Sequence, residues 1–549
     1  MNTRQNSSYV DASTVWEIRR TAKAAHARGL LNATKWALDL LRGINPEFRA
    51  QPATTPAPFI PEDEELEAEM LNLARLAINE KQFPRAIVLL DDANSARGLF
   101  MRTYCNYIVS EKRALKEWHA LDNKRQQPPK PVNNQVAQLY LTVENAIDPW
   151  LLFLKALLLF RLQRFEETID CVLLSLETIP WNWSSWMLLV DCIHDPESLS
   201  SLLDRLPIPV QHPAVQMFMI RMMNALNTFA ADDIPTCNRL LSSQMFPNSL
   251  WIRAQFAQGL YIIHDYEAAD QQFHHILSAD PYRIDDLEIY ADILYAVENK
   301  ERLSSLAQFV LILGKNRPET CYLLGCHYSL RAEHEKSARY FRRATELDRT
   351  FSPAWTMMGL EYIEMENPQA AIESFRRAVD ANPKDYRAWA SMGKAYGALG
   401  MPWYALYYTK RALHLRPHEA ESWEDLGHIW ELAGKPETAI ACLKQALESE
   451  APHPLQIYLR LMQLLITVED FNAATFYAEE AVATGQAQNV PVEQYAKAMM
   501  AVAEHQAMRP TGDWGKARDY LEKIVARVGD EAINKRALEL LSLLKRSVR

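Results

Sequence analysis

Features that usually accompany catalysis are scarce or missing in this sequence of 549 residues. Glycine is limited to 16 residues, and there is no glycine-rich loop of the kind that cradles phosphate. No H-E-x-x-H zinc motif occurs, and the 14 histidines do not join Asp and Ser in a recognisable catalytic set. We therefore expect no catalytic residues, no metal site, no cofactor and no enzymatic activity.

Cations and cysteines are also limited. Lys and Arg total 59 against 69 Asp and Glu, a net charge of −10. Domains that bind nucleic acid are usually basic, so we expect no nucleic-acid partner. Seven cysteines without a C-x-x-C pair predict reduced thiols. Cys321 and Cys326, the closest pair, have poor metal spacing and are expected to be structural.

No stretch of the sequence reads as a membrane or secretion signal. Residues 1–10 are polar and lack the apolar core of a signal peptide. The longest apolar run, Trp150 to Phe160, is interrupted by Lys155 and is too short to span a bilayer. We therefore expect a soluble, intracellular protein with no membrane partner.

What the sequence does contain is a repeat. Trp355, Gly359 and Tyr362 share one face of a first helix, because their spacing is i, i+4, i+7. Ala371 and Phe375 lie on a second helix, after an Asn-Pro turn. A shift of 34 residues in either direction recovers the same residue classes. The matching positions are Gly325, Tyr328, Trp389, Gly393, Trp423 and Gly427.

This pattern is the signature of the tetratricopeptide repeat, a two-helix hairpin. The small residues allow the two helices to approach closely, and the aromatic residues fill the space beside that contact. One hairpin cannot bury its apolar face alone, so neighbouring hairpins must stack. The predicted fold is all-α: a superhelical solenoid of stacked helix-turn-helix hairpins.

More degenerate copies organise the rest of the chain. We predict a disordered N-terminus over 1–11, divergent repeats over 12–147, middle repeats over 148–215, a regular array over 216–487, and a last hairpin with a capping helix over 488–549. Proline-rich stretches predict a linker at 47–61 and a loop at 120–133. The charged segment 124–131 fits an inserted loop, and the alternative is a short basic motif for a partner or for nuclear import.

A second stripe of each first helix should line the concave groove, since positions advance by about 100° per residue. In the repeat starting at 284 it includes Asp285 and Glu288. The candidate peptide-binding residues are Asp292, Tyr295, Tyr322, Cys326, Ser329, Thr356, Leu360 and Glu364. The stripe is mainly acidic with few cations. It predicts binding of a peptide that carries Arg or Lys, and the alternative is a solvated acidic face.

Particular strings add a more specific resemblance. They include YCNYIVSEKRALKEW from Tyr104, DPYRIDDLE from Asp280, CHYSLRAEHEKSARYFRRA from Cys326, KDYRAWASMGKAYGALGMPWYALYY from Lys384 and LRPHEAESWEDLGHIWE from Leu415. These strings resemble the subunit-eight type of tetratricopeptide scaffold in the anaphase-promoting complex. The resemblance covers nearly the whole chain.

The resemblance implies a non-catalytic subunit of a multisubunit ubiquitin ligase that controls mitosis, in the nucleus and cytoplasm. It implies homodimers formed through the N-terminal repeats, stacking with other tetratricopeptide subunits, and capture of the arginine-containing C-box peptide of a co-activator. Cys326 departs from the family, whose members tend to carry an amide there.

Two other functions are weighed against this one. A co-chaperone or transport adaptor would capture a peptide carboxylate, but the groove lacks the Lys and Asn cluster that this needs. A repeat-containing enzyme such as a glycosyltransferase would need a catalytic domain, and none is visible.

Overall fold

The computed structural model of the chain describes residues 10–50, 62–120, 131–449, 453–488, 490–508, 514–527 and 531–547. The regular elements in these ranges are helices, and no strand occurs among them. The all-α prediction is therefore confirmed. The chain divides into two compact units, Met1–Asp348 and Arg349–Arg549.

The first unit holds helices α1 to α20. In chain order they are Ala12–Arg28, Leu31–Gly43, Pro46–Ala50, Glu62–Leu66, Ala68–Asn79, Phe83–Leu89, Ala96–Ala120, Val136–Val143, Pro149–Arg161, Phe165–Thr178, Trp183–Cys192, Pro196–Arg205, Pro213–Leu226, Ile234–Leu240, Leu250–Ile262, Tyr266–Ala279, Leu287–Ala296, Lys300–Leu313, Pro318–Ser329 and His334–Leu347. A short 3-10 helix, Ala231–Asp233, precedes α14.

The second unit holds α21 to α31. They are Ser352–Glu364, Pro368–Ala381, Tyr386–Ala398, Pro402–Leu415, Ala420–Leu432, Pro436–Glu448, Pro454–Thr467, Phe471–Ala487, Val492–Met508, Trp514–Arg527 and Glu531–Ser547. Five successive first helices begin at Pro318, Ser352, Tyr386, Ala420 and Pro454, which is the step of 34 residues that the repeat requires.

The α21–α22 hairpin shows why this sequence folds as it does. Glu366 takes the left-handed conformation, with φ of 55°, and turns the chain between the helices. Asn367 then caps α22, because its side chain accepts a hydrogen bond of 3.2 Å from the backbone N–H of Ala370. Gly359 faces the fully buried ring of Phe375 so closely that a Cβ would collide with the ring.

The same arrangement recurs along the chain. Gly325 faces Phe341, Gly393 faces Thr409, and Gly427 faces Leu443. In the second unit, the indole N–H groups of Trp355, Trp389 and Trp423 donate to the backbone carbonyls of Arg349, Pro383 and Pro417 at 3.0, 2.9 and 2.7 Å. Tyr328 stacks on Tyr340 with ring centroids 5.3 Å apart. Tyr362 packs against the cluster that contains Ala371 and Phe375. The glycine and tyrosine positions therefore lie at helix–helix contacts, and the three tryptophans bond to the segment that precedes their own helix.

Replacing Gly359 with valine should destabilise the second unit by about 1–3 kcal/mol, because the added atoms overpack the Phe375 contact. Thermal unfolding followed by circular dichroism measures the effect. Gly397→Ala is the control: it is also in a helix, but the nearest atom to a new Cβ lies 4.0 Å away. If the G359V protein had the same melting temperature as the G397A protein, the close-approach explanation would be contradicted.

The N-terminal hairpin, defined here as α1 and α2, packs against hairpins far along the chain in the first unit. Trp36 of α2 stacks on Trp183, with ring centroids 4.3 Å apart and planes 8° from parallel. Trp251 meets both rings edge-on, at 5.9 Å from Trp36 and 4.9 Å from Trp183. Trp36 and Trp183 are buried, so this aromatic cluster is a core that joins the first hairpin to α11 and α15.

Polar contacts frame this aromatic cluster. The ammonium of Lys35 pairs with Asp285, and Asp39 lies 3.5 Å from the guanidinium of the buried Arg283. The backbone N–H of Asn248 donates to the carbonyl of Gly43 at 3.1 Å. A Cβ on Gly43 would lie 2.7 Å from the Cα of Ser249, so only glycine permits this approach.

Two sequence boundaries need correction. Val10 and Asp11, assigned to the disordered N-terminus, are ordered: Val10 is buried and its N–H donates to the Gln244 carbonyl at 3.1 Å, while Asp11 caps α1. Residues 47–50, assigned to the linker, belong to α3, where the Arg49 carbonyl accepts a bond of 2.7 Å from Arg19. Residues 1–9, 51–61 and 121–130 lie outside the described residues, as does the disorder, linker or loop predicted for them.

Candidate peptide-binding surface

The first unit brings four of the predicted groove residues together in two pairs. The Tyr322 hydroxyl of α19 donates a hydrogen bond to the carboxylate of Asp292 on α17. The hydroxyls of Tyr295 and Ser329 lie 3.1 Å apart, again between α17 and α19. Tyr295 and Ser329 are equivalent positions, 34 residues apart, whereas Asp292 and Tyr322 are 30 residues apart.

Burial separates these residues into two kinds. Tyr322 is 1% exposed and Cys326 is 0% exposed, so both lie inside the packing of the unit. Tyr295 and Ser329 are half-buried. Contact of a peptide with Tyr322 or Cys326 stays a prediction, and in this conformation neither side chain presents a surface to a peptide.

Glu288 is the most unusual carboxylate on this face. It is half-buried, and its Oε2 atom is fully enclosed and accepts no hydrogen bond from the described residues. Burial, together with the nearby charges of Asp286, Glu319 and Asp292, raises the pKa of Glu288 to about 8. The group is therefore mostly protonated at neutral pH, and a cation placed beside it would favour the ionised form.

Part of the predicted acidic groove is already occupied. Asp285 pairs with Lys35, and Asp286 pairs with Arg283 at 2.8 Å. Glu288 lies near two further carboxylates on α17 and α19, those of Asp292 and Glu319, and we call these three residues the α17–α19 acidic surface. Sequence periodicity found Glu288 and Asp292, but it gave no sign that the N-terminal hairpin would neutralise their neighbour.

The three groove candidates of the second unit lie on α21 and differ in exposure. Thr356 is buried, and its hydroxyl donates to the Ser352 carbonyl at 3.3 Å. Leu360 is 37% exposed, and Glu364 is exposed. A residue that periodicity did not select, Glu361, is buried on the same helix.

Farther along the second unit, Glu421 of the same stripe and the nearby Asp425 share one cation. Lys394 of α23 lies within salt-bridge distance of Glu421 and, at 3.2 Å, of Asp425. Burial nevertheless raises the pKa of Asp425 to about 6.

We next looked among the described residues for a metal site, a disulfide and a membrane-spanning helix. No group of three or more His, Cys, Asp or Glu side chains there could hold a metal ion. The seven cysteines are free thiols, and each is buried. No described helix combines the length and the apolarity needed to cross a membrane.

Comparison with known proteins first gives the class. Residues 318–351 and 352–385 each match the tetratricopeptide repeat. The crystal structure of the hetero-tetramer Cut9–Hcn1 of the anaphase-promoting complex has the same fold, with a TM-score of 0.57, 16% identity and coverage of 88% of this chain and 91% of that one. The chain is a tetratricopeptide-repeat solenoid protein.

The family is more specific. Residues 13–257 match the family described as anaphase-promoting complex subunit 8 / Cdc23. Subunit 8 of Arabidopsis thaliana is 30% identical over 391 residues, 64% of this chain and 66% of the relative. Subunit CDC23 of Saccharomyces cerevisiae is 35% identical over 238 residues, 41% and 38% of the two chains. The mouse cell division cycle protein 23 homolog is 31% identical over 312 residues, 55% and 50%. The chain belongs to the subunit 8 / Cdc23 family, and the matched regions span between 38% and 66% of these relatives.

Proposed function

We propose that this chain is a non-catalytic scaffold subunit of the anaphase-promoting complex, a ubiquitin ligase of the cell cycle. Its relatives carry the names of subunits of that complex, and the Cut9 neighbour was solved in a hetero-tetramer with Hcn1. In this role the chain stacks with other tetratricopeptide subunits and supplies binding surfaces rather than chemistry. It works in the nucleus and cytoplasm.

The observation that carries a co-activator site is the α17–α19 acidic surface. Its carboxylates belong to Glu288, Asp292 and Glu319, and one Glu288 oxygen is enclosed without a hydrogen bond. An arginine guanidinium offers several N–H donors in a planar fork, which suits carboxylates held close together. The C-box peptide of a co-activator carries such an arginine, so this surface is its proposed site.

Asp292→Asn should weaken binding of a fluorescein-labelled C-box peptide about tenfold, because a hydrogen bond between charged groups contributes about 1.5–3 kcal/mol. The amide oxygen can still accept from Tyr322, so the fold should be retained. Fluorescence anisotropy on the full chain measures the affinity. A peptide with citrulline in place of arginine should bind weakly to the wild type.

Two further variants complete this test. Glu301→Gln, at an exposed carboxylate in the first turn of α18, should leave the affinity unchanged. Glu319→Gln, on the same surface, should weaken binding as well. Unchanged affinity in both D292N and E319Q would contradict the peptide site.

The alternative function is a co-chaperone or transport adaptor that binds peptide motifs through their terminal carboxylates. The excess of carboxylate on the α17–α19 acidic surface opposes it, since like charges repel. An amidated C-box peptide distinguishes the two. It should bind as well as the free acid to the proposed scaffold, and much more weakly to an adaptor that reads a carboxylate.

The N-terminal helices of the first unit carry exposed apolar side chains that suit a homodimer. Leu31 and Leu38 share one face of α2 and are 55% and 54% exposed. Leu73 and Leu76 of α5 are exposed as well, and Val88 of α6 is 76% exposed. Burial of such residues contributes about 1.5–3 kcal/mol each. We propose that a second copy of the chain covers them.

Leu38→Glu combined with Leu76→Glu should convert the dimer to a monomer, because each carboxylate would have to be desolvated in the interface. Light scattering at micromolar protein measures the mass. Leu174→Glu is the control, since Leu174 of α10 is equally exposed at 54% but lies outside the N-terminal helices. A wild-type chain that is monomeric at this concentration would contradict the dimer.

A further inference from the structure

The exposed face of α24, in the second unit, has a composition that repeat packing does not explain. The buried face of this helix consists of Ala405, Leu406, Thr409, Ala412 and Leu413. The opposite face carries Trp403, Tyr407, Lys410, Arg411 and His414, which are exposed. Their spacing places them on one stripe. With the adjacent Tyr404 we call this set the α24 stripe.

The N-terminal half of the α24 stripe is aromatic. Trp403, Tyr404 and Tyr407 are 66%, 59% and 62% exposed. Three large aromatic side chains that close together in the solvent are unusual for a surface with no partner. Trp and Tyr are also the residues that dominate binding energy at interfaces.

Tyr404 and Tyr407 are held in place by a second layer of aromatic rings. Tyr396 stacks on Tyr404 at 5.4 Å and on Tyr408 at 5.2 Å. Tyr407 meets Tyr408 edge-on at 5.1 Å, and Trp389 stacks on Tyr408 at 6.0 Å. Because Tyr404 and Tyr407 rest on this layer, little conformational entropy is lost when a partner covers them.

The C-terminal half of the α24 stripe is cationic. Lys410 lies over the ring of Trp430, with its ammonium 5.3 Å from the ring centroid. Neither Lys410 nor Arg411 forms a salt bridge within the described residues. No Asp or Glu occurs anywhere in α24. Cations suit the last turn of a helix, but that preference does not account for the aromatic half.

We propose that the α24 stripe binds an acidic peptide segment whose aromatic or proline residue stacks on Trp403 and Tyr407 while its carboxylates meet Lys410 and Arg411. The stripe from Trp403 to His414 is about 16 Å long at 1.5 Å per helical residue. An extended peptide of about five residues covers that length. Because the aromatic and cationic residues occupy opposite ends of the stripe, the peptide should carry an apolar residue at one end and a run of Asp or Glu at the other.

This site lies in the second unit and is independent of the C-box surface. It has the opposite charge, so an arginine-bearing peptide and an acidic peptide should not compete for the α24 stripe. The chain thus offers an acidic face for a basic ligand and a basic, aromatic face for an acidic one. This gives the scaffold a second way to hold a partner chain.

The test uses the full chain and a fluorescein-labelled, amidated hexapeptide of one-letter sequence FPDEDE as the probe. Binding is measured by fluorescence anisotropy at 50 and 300 mM salt, and it should weaken with salt because surface charge is screened. Trp403→Ala and Arg411→Glu should each weaken binding at least tenfold. Two controls should stay within twofold: Phe476→Ala, also an exposed aromatic at 57%, and Lys497→Glu, an exposed cation of α29.

Several results would overturn the proposal. One is absence of binding by the wild type up to millimolar probe, and another is equal binding of the neutral peptide FPNQNQ. A third is W403A and R411E proteins that bind like the wild type. Tighter binding of a single-stranded oligonucleotide, lost in the same two variants, would assign the α24 stripe to nucleic acid instead. Thermal melts of every variant exclude loss of fold as the cause.

Discussion

Trp36→Ala should release the N-terminal hairpin from the middle repeats and lower the unfolding free energy of the first unit by about 3–5 kcal/mol. The residue is buried between Trp183 and Trp251. Removing it opens a cavity and also ends the stacked contact, which contributes about 0.5–1.5 kcal/mol beyond the buried area. The Lys35–Asp285 pair is exposed and contributes little, and Arg283 lies closer to Asp286, at 2.8 Å, than to Asp39, at 3.5 Å.

Two measurements follow this release. Thermal unfolding should show a lower first transition, and limited proteolysis should cut the chain between α2 and α5 more rapidly. Trp36→Phe should recover part of the loss because it keeps an aromatic ring against Trp183. Trp403→Ala serves as the control, since its indole is 66% exposed and its loss should change stability by less than about 0.5 kcal/mol. A W36A protein that melts and resists protease like the wild type would refute this role.

Binding of the C-box peptide should strengthen about 50-fold between pH 6 and pH 8. With a pKa of about 8, Glu288 is about 1% ionised at pH 6 and half ionised at pH 8. If the peptide arginine pairs with the ionised form, apparent affinity follows that fraction. Glu288→Gln should abolish the rise, and it should bind the peptide more weakly than the wild type even at pH 6.

The stability of the fold should change with pH in the opposite direction to the peptide affinity. The folded pKa of Glu288 is raised above the unfolded value of 4.5, so folding favours the protonated form. Stability from this group is fully present below pH 4.5 and is lost as pH rises through about 8. E288Q should therefore flatten the fall in melting temperature across this window. A wild-type affinity that is constant from pH 6 to pH 8 would show that Glu288 is not the arginine's partner.

Local spacing predicted the hairpins well, because their packing is decided within about 20 residues of chain. Gly359 meets Phe375 as the signature implies. The groove was predicted less well. Helical spacing shows which residues share a face of a helix, but it does not show what covers that face. Tyr322 and Cys326 share the stripe of Asp292, yet both are buried, and Tyr322 lies between Asp292 of α17 and Phe341 of α20.

The packing of the N-terminal hairpin against α11 and α15 could not be predicted from the sequence, because it joins residues that are distant in the chain. Trp36 and Trp183 are far apart in the chain, and no periodicity links them. The need for glycine at position 43 comes from the close approach of Ser249, which only the folded structure shows. The sequence did not single out the α24 stripe for a different reason. Trp403, Tyr404 and Tyr407 belong to the string from Lys384 that carries the family resemblance, so their exposure was not considered separately.

The measurement that bears most directly on the scaffold role is affinity purification of the tagged chain from its own cells, followed by mass spectrometry. If the chain is a subunit of the anaphase-promoting complex, the purification should recover its cullin-like and RING subunits together with other tetratricopeptide subunits. Recovery of chaperones alone, without any subunit of the ligase, would contradict the proposed function.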